Sequence, residues 1–345
     1  MNPLLKRGVW LAAASALLAG VLVRPGAAAQ GFAQGLRLCA GSVLPALFPC
    51  FAACSLILGQ LTPRQCRAAL LPLSWLGGYA VCARLTAQAY RRAELDTRQA
   101  GLTLCLGCCA APGFVVGCVG GLLLGSAPLG WVLFGAQLAG NAAAALVCRP
   151  LLPPPGKRQL PAAGTCAGIG VPQAVGDAVN SCLAVCGSVL LFSVVSQLLR
   201  ELCPLPALYA AVLSGALEVS AGCAEFAALG GAISVYGCCV CLSALSASVW
   251  LQLAALLPRE ISLRPLALGR SVQAAVSLGC VRLALGLLPG AVPTLAGGAN
   301  RLVVTGRLPP DALVTGGLFL AVVLYKGYKT LYNNKYNHEG NTAYF

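Results

Sequence analysis

Four charged residues lie within or beside long apolar stretches: Arg84, Glu218, Glu225 and Arg282. Ionisable groups at membrane depth are rare and mark substrate or ion pathways. Arg84 is the first substrate-binding candidate, because a guanidinium binds a planar carboxylate through two parallel hydrogen bonds. An anchor at a helix end explains it equally well. Arg282 lies mid-span, where it needs a partner unless its side chain extends to the helix end.

The two glutamates are candidates for ion or proton coupling, and Glu218 is also a candidate for substrate binding. The alternative for Glu218 is a hydrogen bond to its own backbone, and the alternative for Glu225 is an interfacial position. The amide side chains of Gln137, Asn141 and Gln273 lie within predicted spans. They could line a cavity or could form hydrogen bonds between helices.

The composition defines an integral membrane protein. The 345 residues are 58% hydrophobic and only 9% charged, whereas a soluble domain carries about 25% charged residues. The net charge of +14 is scattered through loops, so nucleic acid is not an expected partner. The expected partners are the lipid bilayer and a small anion or polar solute, and a homo-oligomer is compatible with the sequence.

The 19 cysteines lie mostly in apolar runs, where cysteine acts as a small hydrophobic residue. The single histidine, His338, is in the polar tail. The clusters Cys108-Cys109 and Cys238-Cys239-Cys241 could bind a soft metal, but they lie inside apolar runs, and the Cys/His spacing of zinc sites is absent. We therefore expect no metal site and no cofactor, and the lack of a catalytic constellation predicts that the chain is not an enzyme.

Apolar runs predict eight transmembrane helices in an all-α polytopic fold. The first run could instead be a cleaved signal sequence. The predicted spans are Gly8–Val23, Leu36–Leu61, Gly101–Leu124, Leu129–Val147, Val175–Leu198, Gly231–Leu256, Leu266–Leu288 and Leu313–Tyr325.

Two further apolar segments predict re-entrant hairpins, which enter the membrane and leave on the same side. The first, Leu70–Ala83, is too short to span and ends beside Arg84; a distorted full span reaching Tyr90 is the alternative. The second is Leu205–Leu229. We expect residues 84–98 to form a loop or short helix, and breaks at Pro112-Gly113 and near Gly237.

Three crossings in each half would invert the second half relative to the first, as in many transporters. With a cytoplasmic amino terminus, most of the 23 Lys and Arg residues, including Arg270, fall inside. The outside residues are Arg24, Arg37, Arg200, Arg301 and Arg307.

These assignments divide the chain into six parts. They are an N-terminal transmembrane segment or signal anchor (1–30), a first membrane repeat (31–149), a cytoplasmic linker (150–174), a second repeat (175–290), a connection with the last helix (291–325) and a polar cytoplasmic tail (326–345).

Four short motifs resemble the sporulation integral membrane protein YlbJ family, in the nucleoside-recognition (Gate) group. Residues 78–87, GYAVCARLTA, resemble its GYPxGA(K/R)LTA motif, and residues 109–115 resemble its NNAGPAFI element. Residues 213–222 resemble LxGxLELxxG, and 230–235 resemble GGLSVH. Cys108-Cys109 replaces the expected Asn pair, and Tyr236 stands where His is expected.

The resemblance implies a fold related to concentrative nucleoside transporters, in the cell or forespore membrane, and dipicolinate movement into the forespore. It adds motif positions to the candidate substrate site: Gly78, Tyr79, Cys109, Pro112 and Tyr236. We therefore predict a transporter of a small anionic metabolite such as dipicolinate. The alternatives are an ion-coupled nucleoside or polar-solute transporter and a non-transporting scaffold in spore formation.

Overall fold

The computed structural model describes residues 3–40, 44–61, 63–154, 170–203 and 205–287, which are predominantly helical and contain no β-strand. The α-helices are α1 Pro3–Val23, α2 Pro25–Leu38, α3 Leu44–Gln60, α4 Pro63–Arg91, α5 Thr97–Gly107, α6 Ala127–Cys148, α7 Val171–Leu202, α8 Ala207–Leu217, α9 Val219–Leu229, α10 Gly231–Ala244, α11 Ala247–Leu256 and α12 Arg264–Leu287. A π-helix, Gly113–Leu123, follows α5, and a short 3-10 helix, Arg149–Leu151, follows α6.

Long apolar helices confirm an all-α membrane protein. Four stretches of the described chain are long and apolar enough to span: Arg67–Arg91, Ala127–Leu151, Val171–Leu202 and Gly231–Leu256. The bent pair Leu11–Val23 and Pro25–Leu38 would make a fifth. The eight crossings stay a prediction. The span Leu313–Tyr325, the tail 326–345 and most of the linker lie outside the described residues.

The first two helices meet at a sharp bend, which differs from the predicted separation of spans. α2 turns by 106° from α1, so residues 25–35 are helical rather than a connection. Proline disfavours a helical conformation in the residue before it, and Arg24 has φ −131° and ψ 63°. The small residues Gly31 and Gly35 let α2 lie directly against the α7 backbone near Ser193.

α4 corrects the predicted end of the first hairpin. The helix continues past Ala83 to Arg91, as in the alternative of a distorted full span reaching Tyr90, so the first part of the loop or short helix expected over residues 84–98 belongs to α4. The helix is broken instead at Gly78, where φ is +84° and ψ is −171°. Arg84 does not end the helix because its charge has a partner on α7, which offsets the cost of burial.

The break predicted within residues 101–124 is present. α5 begins at an Asp96–Gln99 capping box, in which the Asp96 side chain accepts from the Gln99 backbone and the Gln99 side chain accepts from Asp96. α5 ends at Gly107, and non-helical residues 108–111 lead to Pro112 and the π-helix.

In the second half, α8 and α9 form a packed pair joined at Glu218. Gly215 and Gly222 face each other, so the two backbones approach as closely as glycine permits. The following break is not at Gly237, which is helical and covered by the Phe226 ring. It lies at Leu245, where φ is +62°.

α6 and α12 form the closest helix pair around the main core. Gly140 of α6 lies against the Gln273 backbone and side chain, and the Ser277 hydroxyl donates to the Ala136 carbonyl at 2.9 Å. Both helices also flank α5. They therefore bring polar side chains to the place where α5 is interrupted.

Candidate functional site

A polar cavity of about 420 Å³ lies beside Arg84, and we call it the Arg84 cavity. Its walls are the second half of α4, the first half of α7 and the end of α11. Arginines, amides and a hydroxyl are mixed there with apolar side chains. The lining residues are Arg84, Ala87, Gln88, Arg91, Arg92, Gln173, Asp177, Asn180, Ser181, Ala184, Ala255 and Leu256.

Arg84 is buried and held by α7. One guanidinium nitrogen, Nη1, donates to the Asp177 carbonyl and to the Ser181 hydroxyl, each at 2.5 Å. The other, Nη2, lies 3.5 Å from the Asp177 carboxylate. The guanidinium also lies 5.4 Å from the centre of the Phe51 ring, a cation–π distance. These contacts fix the guanidinium in one orientation at the cavity wall.

The charge of the cavity is positive. Arg84, Arg91 and Arg92 line it, and Asp177 is its one carboxylate among the described lining residues. The Asp177 side chain is 43% exposed, whereas that of Arg84 is 7% exposed. The exposed partner of this ion pair is therefore the carboxylate, and the buried partner is the guanidinium.

Asp177 is a partner of Arg84 that was not among the residues predicted from the sequence. It is the first acidic residue of α7, and Ser181 follows it by one helical turn, so both side chains face the same direction. A carboxylate one turn from a hydroxyl inside an apolar helix is the signal that could have identified this partner of Arg84.

The motif residues Gly78 and Tyr79 lie at a second place, the α5 break. A Cβ at Gly78 would lie 3.1 Å from the Ala111 backbone nitrogen, so α4 approaches the interrupted backbone closely. The Tyr79 hydroxyl donates to the Leu242 carbonyl at 2.8 Å. Cys109 is fully buried there and Pro112 precedes the π-helix.

Side chains from α6 and α12 form hydrogen bonds with backbone groups at the α5 break. Arg270 donates to the Cys108 carbonyl at 2.8 Å, and Asn141 donates to the Cys108 carbonyl at 3.3 Å and the Leu106 carbonyl at 3.2 Å. The Gln137 side-chain oxygen accepts from the Ala110 N–H at 3.1 Å. Carbonyls left unpaired at a helix end favour a cation, which explains why an arginine is buried here.

Arg270 and Arg282 of α12 differ in burial. Arg270, expected in the cytoplasmic set, is buried inside the protein, whereas Arg282, expected within the membrane, is exposed; the side of the membrane on which Arg270 lies stays a prediction. Arg270, Gln273 and Ser277 recur every three or four residues, which places them on one face of α12. That polar stripe could have identified Arg270 from sequence.

The two glutamates occupy a third region. Glu218 is buried at the start of α9, where its Oε2 accepts from the Ala221 N–H at 2.8 Å, the structural arrangement considered as an alternative. Glu225 forms an ion pair with Arg200, and Arg200 also donates to the Ser214 hydroxyl at 2.7 Å. Ion coupling by either glutamate stays a prediction.

The predicted site residues thus fall into separate groups. Gly78, Tyr79, Cys109 and Pro112 share the α5 break, Arg84 has its own cavity, and Glu218 and Glu225 belong to α9. Tyr236 of α10 is half-buried against the core.

Within the described residues, no three His, Cys, Asp or Glu side chains are placed to hold a metal ion. No protein-family model, curated protein or solved structure matches this chain. The local chemistry of the three groups is therefore the basis for any functional conclusion.

Proposed function

We propose that this protein is a membrane transporter that moves a small anionic metabolite and binds it in the Arg84 cavity. The observation that carries this proposal is an open cavity lined by Arg84, Arg91 and Arg92, with Asp177 as the one carboxylate among the described lining residues. Its volume of about 420 Å³ falls within the roughly 300–1,000 Å³ of small-molecule sites. An excess of guanidinium groups selects anions over neutral solutes.

Binding would proceed by exchange of counter-ions. A substrate carboxylate replaces the exposed Asp177 carboxylate on Arg84, which already carries its orienting bond to Ser181. The cation needs no new desolvation, because its surroundings are already in place. The amides of Gln88 and Asn180, also at the cavity wall, offer further hydrogen bonds.

We propose dipicolinate as the substrate. It is a planar dianion, and two carboxylates match a cavity with several guanidinium groups. The resemblance of residues 78–87 to the YlbJ motif supports this choice, since Arg84 lies within that motif. It also suggests the membrane: the cell or forespore membrane during sporulation.

We further propose the eight-crossing inverted repeat with two re-entrant hairpins, and alternating access by movement of one part against the other. The backbone supports a repeat, because Gly78 and Gly230 share an unusual conformation, with φ of +84° and +72° and ψ near 180°. Gly78 follows the first part of α4 in the first half of the chain, and Gly230 follows α9 in the second half. Interrupted helices that line a cavity are a recurring feature of transporters.

The rival transport function, uptake of a nucleoside or other polar solute, would use the same cavity without needing its positive charge. The scaffold function would need no accessible cavity. Arg84→Ala therefore distinguishes anion transport from both alternatives, because it removes a positive charge that only anion transport requires.

The test is the dipicolinate content of spores that lack the protein and carry either the wild-type chain or Arg84→Ala. We expect low dipicolinate in the deletion strain, recovery with wild type and no recovery with Arg84→Ala at equal membrane abundance. Normal dipicolinate in the deletion strain would overturn this substrate. Full recovery with Arg84→Ala would overturn the site.

A further inference from the structure

The α5 break contains a buried positive charge that has no carboxylate partner among the described residues. Arg270 is 5% exposed, and within the described residues its hydrogen-bond acceptors are the Cys108 carbonyl at 2.8 Å, the Gln273 side-chain oxygen at 3.3 Å and the Asn141 side-chain oxygen at 3.5 Å. All three are neutral. Both ion pairs found in the described chain involve other arginines.

Hydrogen-bond donors are in excess around Arg270. A guanidinium has five N–H groups, and the three acceptors above account for three of them. Within the described chain, the amide nitrogens of Gln137 and Gln273 have no hydrogen-bond partner, although these side chains are 1% and 0% exposed. Buried donors without acceptors are rare and costly.

Rotating the amides does not remove this excess. The Gln273 oxygen accepts from Arg270 and the Gln137 oxygen accepts from the Ala110 N–H. Exchanging oxygen and nitrogen in either amide would place donor against donor. Their Nε2 atoms are therefore fixed as donors within the same cluster.

The acceptors nearby are already occupied. The Leu106 carbonyl accepts from Trp75 at 3.0 Å and from Asn141, and the Cys108 carbonyl accepts from Asn141 and Arg270. What the cluster lacks is an acceptor with negative charge, since one cation is buried and the unused groups are all donors.

We infer that the α5 break binds one small inorganic anion of halide size, held by the Arg270 guanidinium and the Gln137 and Gln273 amide nitrogens. The anion would neutralise the buried charge and complete the hydrogen bonds at the interruption. This site is distinct from the Arg84 cavity and does not depend on the proposed transport of dipicolinate.

The test measures binding of radioactive chloride to the purified full-length chain in detergent, in a chloride-free gluconate buffer. We expect saturable binding by the wild type. Arg270→Gln should weaken it by roughly tenfold or more, because a charge-assisted interaction contributes about 1.5–3 kcal/mol. Arg282→Gln, which removes an exposed charge from the same helix, is the matched control and should bind chloride like the wild type.

A second variant protects the test against misfolding of Arg270→Gln. Gln273→Glu keeps the oxygen that accepts from Arg270 and supplies a built-in negative charge in place of the unused donor. It should abolish chloride binding and remove the stabilisation that chloride gives to the wild type in thermal unfolding. Absence of saturable binding by monodisperse wild type would overturn the proposal, as would unchanged binding by Gln273→Glu.

Discussion

Arg84 shows how one buried charge can remain available to a ligand. Its guanidinium is held by the Asp177 carbonyl and the Ser181 hydroxyl, so its position does not depend on the Asp177 carboxylate alone. That carboxylate is partly exposed and 3.5 Å away, the arrangement of a weak ion pair. A substrate with better geometry can therefore take its place without disturbing Arg84.

Asp177→Asn tests this exchange directly. The substitution removes the competing negative charge but leaves the backbone carbonyl that accepts from Arg84. Since a partly exposed ion pair contributes about 0.2–1 kcal/mol, the dissociation constant for dipicolinate should fall by roughly 1.4- to fivefold. The measurement is dipicolinate binding to the purified protein by calorimetry.

The control for this variant is Glu260→Gln, which removes an exposed carboxylate from the loop after α11. It should leave the dissociation constant unchanged. Weaker dipicolinate binding by Asp177→Asn would contradict the exchange, because it would mean that the carboxylate assists binding rather than competes.

Among the secondary-structure elements, the broken helices are the ones that position the site. Gly78 has φ of +84°, in a region that side chains with a Cβ rarely adopt. It also lies against the Ala111 backbone. The break thus lets α4 contact the α5 interruption while its second half continues to Arg84.

Gly78→Ala should lower the free energy of unfolding by about 1–3 kcal/mol, the cost of forcing such a backbone conformation on a residue with a side chain. Thermal unfolding of the detergent-purified protein would show it as a lower melting temperature. Gly187→Ala is the control, because Gly187 lies in α7 with open space around its Cβ position. Equal melting temperatures for the two variants would contradict the proposed role of Gly78.

Long apolar runs predicted that the described chain is helical, and local chemistry predicted some of the breaks. Pro112-Gly113 indicated the α5 break, since proline lacks an N–H and glycine permits unusual turns. The break near Gly237 was wrong, because that glycine instead makes room for the Phe226 ring. Whether a glycine bends a helix or admits a neighbour depends on packing that sequence alone does not reveal.

The site residues could be predicted only in part, because their roles also depend on packing between distant segments. Arg84 was selected because it is a charge beside an apolar run, and it does line a cavity. Asp177 and Arg270 were not selected, because their importance comes from contacts between distant parts of the chain. Arg270 lies close enough to a helix start to resemble a loop residue, although its polar stripe with Gln273 and Ser277 was a signal; its contacts with Asn141 and the Cys108 carbonyl come from distant parts of the chain.

The arrangement of the whole molecule in the membrane depends on the second hairpin. α8 and α9 have 11 residues each, and at about 1.5 Å per residue each is roughly 16 Å long, about half of the hydrocarbon thickness. Two such helices packed against each other can enter and leave on one side. Neither is long enough to cross alone.

Reporter fusions test that arrangement. Fusions ending at Cys203 and at Gly230 should lie on the same, outer side of the membrane, and a fusion ending at Arg259 should lie in the cytoplasm. Alkaline phosphatase is active outside and green fluorescent protein fluoresces inside, so the paired reporters give the side. A cytoplasmic reporter at Gly230 would show that the α8–α9 pair crosses, and would contradict the inverted repeat.

The most direct test of the central claim is uptake of radioactive dipicolinate into liposomes that contain the purified wild-type chain or Arg84→Gln. Arg282→Gln, which removes an exposed arginine, is the matched control. Wild type and Arg282→Gln should accumulate dipicolinate above empty liposomes, and Arg84→Gln should be slower by roughly 10- to 100-fold, since charge-assisted bonds contribute about 1.5–3 kcal/mol. Uptake by Arg84→Gln at the wild-type rate would contradict binding in the Arg84 cavity, and absence of uptake by the wild type would contradict dipicolinate transport.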